Sequence, residues 1–183
     1  LWDTLTLDMR VDQLYFADSI HGIALRSDNN TCRSTSDGGV SWQDGDTNVY
    51  LAGLSPSRNL GISFPHWRTG WLVSEASPFA TDNGMIAHTT TAGKNWTYQK
   101  IYANYQMPML YSVTFSDSLH GYAAGPGNLL RTSNGGKDWS KTSLPISGYS
   151  ITGDYRDGLF ITGWNGQICF TSDGGASWRF FET

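Results

Sequence analysis

Few side chains in this sequence are of a type and spacing to do chemistry. Glutamate occurs only twice, at Glu75 and Glu182. Glu75 shares the segment "SEASPFATDN" with Asp82, and two carboxylates flanking a sugar bond are what glycoside hydrolysis needs. Arg26 and Arg58 would supply cationic groups for an acidic substrate. Two more pairs, Asp18 with His21 and Asp117 with His120, set an imidazole beside a carboxylate, the partnership of general acid–base catalysis. Each reading meets a simpler one. The "DSxHG" pairs recur because their surroundings recur, and hydrogen bonding within a turn explains an Asp there. The Glu75 and Asp82 carboxylates lie on a single loop. No catalytic residue is assigned, and the expectation is a protein that is not an enzyme.

Cofactors and metals find no support either. Cys32 and Cys169 have no metal-ligand spacing, so no metal and no cofactor are expected. The two cysteines either pair, if the ends of the chain meet, or stay as buried thiols. Net charge is −4, without a lysine-rich run, so a nucleic-acid partner is not expected. No apolar stretch approaches the ~20 residues that span a bilayer, so membrane insertion is not expected.

The elements that must hold any site are written as a repeat. "TSDGGVSW" (35–42), "TTTAGKNW" (89–96), "TSNGGKDW" (132–139) and "TSDGGASW" (171–178) align on Trp42, Trp96, Trp139 and Trp178. Upstream of each box stands a similar run: "LYFADSIHGIAL", "ISFPHWRTGWLVS", "VTFSDSLHGYAAG" and "ITGDYRDGLFITG". Gly22, Gly70, Gly121 and Gly158 align in this reading, as do Phe16, Phe64 and Phe115, with Gly153 breaking the Phe pattern. Each unit reads as strand A ending near Phe, a turn, strand B after the glycine, a short loop, strand C, the box, and strand D opened by the Trp. Four strands in ~40 residues is the pattern of a propeller blade. The expected fold class is therefore all-β, a β-propeller of four-stranded antiparallel blades. It forms one domain over 1–183, with units at 11–46, 60–100, 111–143 and 149–183. Residues 1–7 read as an extra outer strand. A closed small ring, a slice of a larger ring and closure by a second copy all remain open.

The box residues read as masonry. Paired glycines accept positive φ. Asp37, Asn134 and Asp173 can accept hydrogen bonds across their own turn, and Thr91 only weakly. Gly39, Gly136 and Gly175 with the four Trp residues complete the structural set. Alternation of strand direction places the A–B turns and boxes on one rim, here the bottom. The B–C loops and D–A connections share the top. Loops that break a repeat are where individual function sits, so the candidate binding residues are Arg26, Glu75, Tyr102, Tyr105 and Trp164 on the top.

At this point a resemblance enters. "TSDGGxSW" resembles the Asp box, or bacterial neuraminidase repeat. The fuller unit "VTFSDSLHGYAAGPGNLLRTSNGGKDW" resembles the photosystem II stability/assembly-factor propellers and their bacterial relatives, with a match over residues 11–183. That resemblance implies a protein-interaction scaffold that binds a polypeptide partner. A carbohydrate-binding, lectin-like module is the alternative, and a sialidase-like hydrolase a more distant one. Arg131 matches the arginine found before the box in the family, whereas Ser34, His88 and Phe170 hold that place in the other units. A secreted, periplasmic or lumenal setting is expected, and self-association to close the ring is possible.

Overall fold

The structure is a computed structural model that describes residue 7 and residues 9–26, 31–45, 60–74, 85–99, 109–154 and 156–181. The chain is all-β. The first blade holds β1 (Gln13–Phe16), β2 (Gly22–Arg26), β3 (Thr31–Thr35) and β4 (Gln43–Asp44), hydrogen-bonded in that order. The second holds β5 (Leu60–His66), β6 (Thr69–Ser74), β7 (Met85–Thr89) and β8 (Thr97–Gln99), again in order. All their ladders are antiparallel.

The rest of the chain is built with fewer breaks than the sequence implies. β9 (Ser112–Phe115) is followed by β10 (Gly121–Thr132), β11 (Ser140–Asp154), β12 (Gly158–Gly163), β13 (Ile168–Thr171) and β14 (Arg179–Phe181), all in one sheet. The short loop expected between strands B and C is here part of β10. Gly121–Ala124 pair with β9, while Asn128–Arg131 pair with β11. Between them β10 folds back, because the Arg131 guanidinium lies 6.0 Å from the Tyr122 ring. Nine residues of straight strand would separate those two by about 30 Å. The reversal falls at Pro126 and Gly127, where Gly127 takes φ +67 and the Asn128 amide donates to the Pro126 carbonyl at 2.6 Å. β11 serves two blades likewise. Ser140–Ser143 pair with β10, and Ser150–Asp154 pair with β12. Counted by segment, these strands give two more four-stranded blades.

The inner strands stand side by side in the order β1, β5, β9, β11. Their links are specific. The Tyr15 hydroxyl donates to the Phe64 carbonyl at 3.1 Å, Phe115 N–H to Ser63 Oγ at 3.0 Å, and Ile151 N–H to Ser112 Oγ at 3.2 Å. Between blades lie three apolar layers. Ile23 and Leu25 meet Phe64 and Leu72. Trp71 and Val73 meet Phe115 and Leu130. Tyr122 and Leu129 meet Leu159 and Ile161. Trp71 stacks face to face on Phe115 with centroids 3.5 Å apart. Burying such an indole contributes on the order of 5 kcal/mol before entropy. Among the described residues no ladder joins the fourth blade to the first.

Three of the blades are pinned by an inner-strand ring lying on a glycine. Phe16, Phe64 and Phe115 sit opposite Gly22, Gly70 and Gly121 on the neighbouring strand. A Cβ on these glycines would stand 2.8, 2.4 and 2.4 Å from the ring. The box Trp closes the far edge of that ring, with Phe16–Trp42, Phe64–Trp96 and Phe115–Trp139 all near perpendicular. The fourth blade corrects the sequence alignment. Its register pairs Gly153 with Leu159, and Leu159 with Thr171, just as Gly22 pairs with Phe16 and with Thr35. Leu159, not Gly158, therefore holds the glycine position, and Gly153 holds the Phe position. The two have exchanged bulk: Leu159 is buried, and a Cβ on Gly153 would stand 2.2 Å from the Gly158 carbonyl oxygen.

The cysteines are both buried free thiols in different apolar layers, so the disulfide alternative does not hold. Burial pushes the Cys32 thiol up to about 12 and that of Cys169 up to about 11.

Because Phe115 is enclosed and has nowhere to turn, Gly121→Ala should destabilise by about 1–3 kcal/mol, an overpacking cost. Urea unfolding checks this, and an unchanged midpoint would remove the ring-on-glycine contact from the account.

Candidate functional site

The bottom rim is built from turns tied to turns. In the first box, Thr35 Oγ1 accepts from Gly39 N–H at 2.9 Å and donates to Asp37 Oδ1 at 2.7 Å. Asp37 then accepts from Ser41 N–H at 2.9 Å and Ser41 Oγ at 2.6 Å, and the Trp42 indole donates to the Gly39 carbonyl at 3.0 Å. The fourth box repeats this around Asp173 with Thr171, Gly175 and Ser177, and Trp178 packs on the adjoining apolar layer. In the third, Asn134 Oδ1 accepts from Asp138 N–H at 3.0 Å, Gly136 N–H donates to Thr132 Oγ1, and the Trp139 indole donates to Gln99 Oε1 at 3.1 Å. Thr91 makes the corresponding bond in the second box, accepting from Asn95 N–H at 2.9 Å. The local acceptor at each box is thus the buried threonine two residues ahead of Asp, Asn or Thr91.

The box glycines all take positive φ. Gly38 and Gly39 stand at +75 and +92, and Ala92 occupies one such position at +55. The boxes in turn hold the A–B turns: Gly38 N–H donates to the Ile20 carbonyl, Ala92 N–H to that of Arg68, and Gly135 N–H to that of Leu119, each at 2.9 Å. Within those turns Asp18 Oδ1 accepts from Ile20 and His21 N–H, and Oδ2 meets His21 Nδ1 at 2.8 Å. Asp117 does the same with Leu119 and His120. Bonds from Ile20 and His21 hold the Asp18 carboxyl below the usual carboxylate range. Both aspartates are engaged in shaping their own turns.

The second blade breaks this pattern, and a cleft results. Its turn reads "HWRTG" in place of "DSxHG". Trp67 reaches back to the first blade and stacks on His21, with centroids 4.4 Å apart and planes 17° apart. The Arg68 guanidinium lies 4.5 Å above the other part of that arrangement, the Trp67 ring. Beside them opens a cleft of about 440 Å³, lined by Tyr15, Thr35, Gln43, Thr91 and Lys94 among others. Arg68 and Lys94 are exposed, and among the described residues neither has a carboxylate partner. The cleft therefore offers two cations, an imidazole and a flat aromatic surface, a combination suited to carboxylates and peptide groups.

The top-rim candidates fare differently. Glu75, Tyr102 and Tyr105 lie outside the described residues. Arg26 ends β2, half-buried and paired with Thr31 in the ladder. Trp164 starts a 3₁₀ turn, Trp164–Gly166, and is exposed. It meets Tyr149 edge-on at 5.1 Å, and Tyr149 meets Tyr111 at 5.3 Å, so three rings form a row on that rim. The structure brings Trp164 to neither Arg26 nor the bottom cleft. Arg131 leans over Tyr122 toward the fourth box, without joining Arg68 or Lys94. Among the described residues no group of three or more His, Cys, Asp or Glu side chains is placed to hold a metal ion, and no helix is long and apolar enough to cross a membrane.

With that geometry in place, comparison with known proteins gives its kinship. The chain is 30% identical over 126 residues to the photosystem II assembly lipoprotein Ycf48 of Synechococcus sp. (strain CC9902), an alignment that covers 66% of this chain and 35% of that protein. The chain is homologous to Ycf48 over those residues. The fold superposes on a solved structure of YCF48 bound to D1 peptide with a TM-score of 0.67 at 19% identity, covering 91% of this chain and 52% of that one. It also superposes on an ancestral GH74 enzyme with a TM-score of 0.66 at 14% identity, covering 94% of this chain and 24% of the enzyme. These likenesses establish the β-propeller fold. No family model matches the chain. The chain spans little more than a third of its Ycf48 homologue.

The Ser41 hydroxyl and N–H, with Thr35, hold the Asp37 carboxyl down at about 2, and the same bonds lower Asp173. A carboxylate with a depressed folded pKa stabilises above its ordinary value of 3.8 and loses that contribution as pH falls toward 2. The urea midpoint should fall between pH 4 and pH 2, and fall less steeply in an Asp37→Asn, Asp173→Asn double variant. Ala92 occupies left-handed space that costs a non-glycine residue about 1 kcal/mol or more. Ala92→Gly should therefore raise the urea midpoint, and a lowered one would contradict the strain.

Proposed function

We propose that this chain is a non-enzymatic, assembly-factor-like propeller that binds a segment of a partner polypeptide. The observation that carries the reading is the basic aromatic cleft between the first two blades, where His21, Trp67, Arg68 and Lys94 converge. Homology to an assembly lipoprotein supports it, as does the fold shared with a YCF48 solved with a bound peptide. The cleft would take an extended segment carrying a carboxylate. Arg68 and Lys94 supply the charge, and Trp67 supplies a face for an apolar side chain or a peptide plane. A protein of this kind performs no bond-making step, and Asp18, Asp37, Asp117 and Asp173 serve turns. The GH74 likeness, at 14% identity, concerns the fold. An extracytoplasmic setting, secreted, periplasmic or lumenal, accompanies the reading, since the homologue is named a lipoprotein.

A glycan-binding reading has one observation of its own, the exposed row of Tyr111, Tyr149 and Trp164 on the opposite rim. Sugar rings stack on such faces.

The deciding experiment is an array of acidic and neutral fifteen-residue peptides, probed with the wild type and with Trp67→Ala and Arg68→Glu variants. Binding to acidic peptides should drop about tenfold or more in Arg68→Glu, the ~1.4 kcal/mol scale of a lost charged contact. Binding that survives both substitutions but is lost in Trp164→Ala, or hits on a glycan array alone, would move the function to the top rim. Turnover of a fluorogenic sialoside or glucan would overturn the non-enzymatic reading.

A further inference from the structure

The cleft between the first two blades holds two fixed cations, Arg68 and Lys94, and one group whose charge follows pH. That group is His21. Asp18 accepts from Ile20 N–H and His21 N–H, and its carboxylate also meets His21 Nδ1, at 3.0 Å through Oδ1 and 2.8 Å through Oδ2. A carboxylate only accepts, so it assigns the ring proton to Nδ1. The neutral ring therefore keeps its lone pair at Nε2, which has no hydrogen-bond partner among the described residues. His21 is half-buried and lines the cleft, and Trp67 lies along one face of its ring at 4.4 Å. A ring turned over to present Nδ1 would give up the Asp18 contact.

A lone pair is the wrong group to offer a carboxylate. Protonated His21 offers instead an N–H donor and a positive charge, and charge-assisted bonds of that kind are the strong ones. The indole face beside the ring can bear that charge. Asp18 remains a fixed acceptor through the change, because the bonds from Ile20 and His21 hold its carboxyl below the usual range.

We propose that His21 gates this cleft by its protonation: a proton on Nε2 turns the ring from an acceptor into a third cationic donor, and acidic segments bind more tightly as pH falls from 8 to 5. The inference rests on the peptide-binding reading above and names the regulation of that same site. Proton and carboxylate attract, so each favours the binding of the other. The charged and titratable groups around His21 among the described residues are Asp18 in its own turn, Tyr15 on β1, Arg68 in the second blade's turn and Lys94 in its box. His66 lies beside Trp67, with centroids 6.0 Å apart, and its Nδ1 accepts from Arg68 N–H at 3.4 Å. Of these residue types only histidine changes charge between pH 5 and 8, so His66 is the group to separate from His21.

Calorimetric titration of the full chain with an N-acetylated, histidine-free acidic peptide of fifteen residues tests the gate. The peptide's carboxylates stay ionised at pH 5.5 and pH 8, so a change in affinity belongs to the protein. The wild type should bind about tenfold more tightly at pH 5.5, the scale of one charge-assisted hydrogen bond. It should also take up protons on binding near pH 7, read from two buffers of different ionisation enthalpy. His21→Gln should bind equally at the two pH values, while His66→Gln keeps the response, with circular dichroism as the check on folding. Equal wild-type affinity at both pH values overturns the gate and leaves the peptide reading standing. So does a response that survives His21→Gln, or an equal response to the same peptide with its acids changed to amides. Absence of binding at both pH values overturns the peptide reading, and the gate with it.

Discussion

The constraint on which the molecule depends is the absence of a Cβ under a phenyl ring. In three blades a Phe on the inner strand lies across the second strand so closely that only glycine fits beneath it. That contact fixes the register of the two strands and offers the ring's edge to the box Trp. It also turns the ring's other face toward the preceding blade. Phe64 and Phe115 in this way tie together strand pairing, box closure and blade stacking. The fourth blade keeps the volume and reverses the donors, with Leu159 filling what Gly153 leaves. Packing demands the sum of the two side chains and is indifferent to which strand supplies the bulk.

This explains both what the sequence disclosed and what it concealed. The four boxes and their upstream strands are legible because a hairpin with paired positive φ and a capping side chain leaves few choices of residue. The propeller of four-stranded blades follows from them. Aligning the fourth blade on Gly158 implies a one-residue deletion that the structure does not contain, since Gly153 and Leu159 are separated by as many residues as Phe16 and Gly22, and only cross-strand pairing reveals it. Which of two adjoining hydroxyls serves the box is likewise decided by geometry alone. Thr35 and Ser36 are equivalent as letters, but only one of them points inward toward Gly39 N–H. Thr91 forms its bond to Asn95 N–H despite the degenerate box, because the turn geometry comes from the backbone and any oxygen at that point completes it.

The cleft was the least legible part. It needs two turns that lie far apart in sequence, and no single unit contains it. Its trace was present all the same: "HWRTG" stands where its sister blades carry "DSIHG" and "DSLHG". His66 takes the place of the capping Asp, accepting from Arg68 N–H at 3.4 Å, and Trp67, in place of the serine, stacks on His21 of the neighbouring blade. Departure from the repeat is therefore not confined to the top rim, for a turn on the bottom departs too. Trp164, which was marked from its place in a loop, proves to belong to a row completed by Tyr111 and Tyr149, two residues that periodicity alone does not distinguish.

The continuity of β11 from the third blade into the fourth gives the molecule an uneven mechanical character. The third and fourth blades share a single hydrogen-bonded sheet, whereas the first and second are separate sheets joined to their neighbours by side chains. In a stacked array each unit's persistence depends on its own ladder plus the coupling to adjacent units. Through β11 the ladders of the third and fourth blades are coupled by continuous backbone, whereas the first two sheets are coupled to their neighbours by side chains. The joint between the third and fourth blades is thus the stiffest of the three, because backbone as well as side chains crosses it.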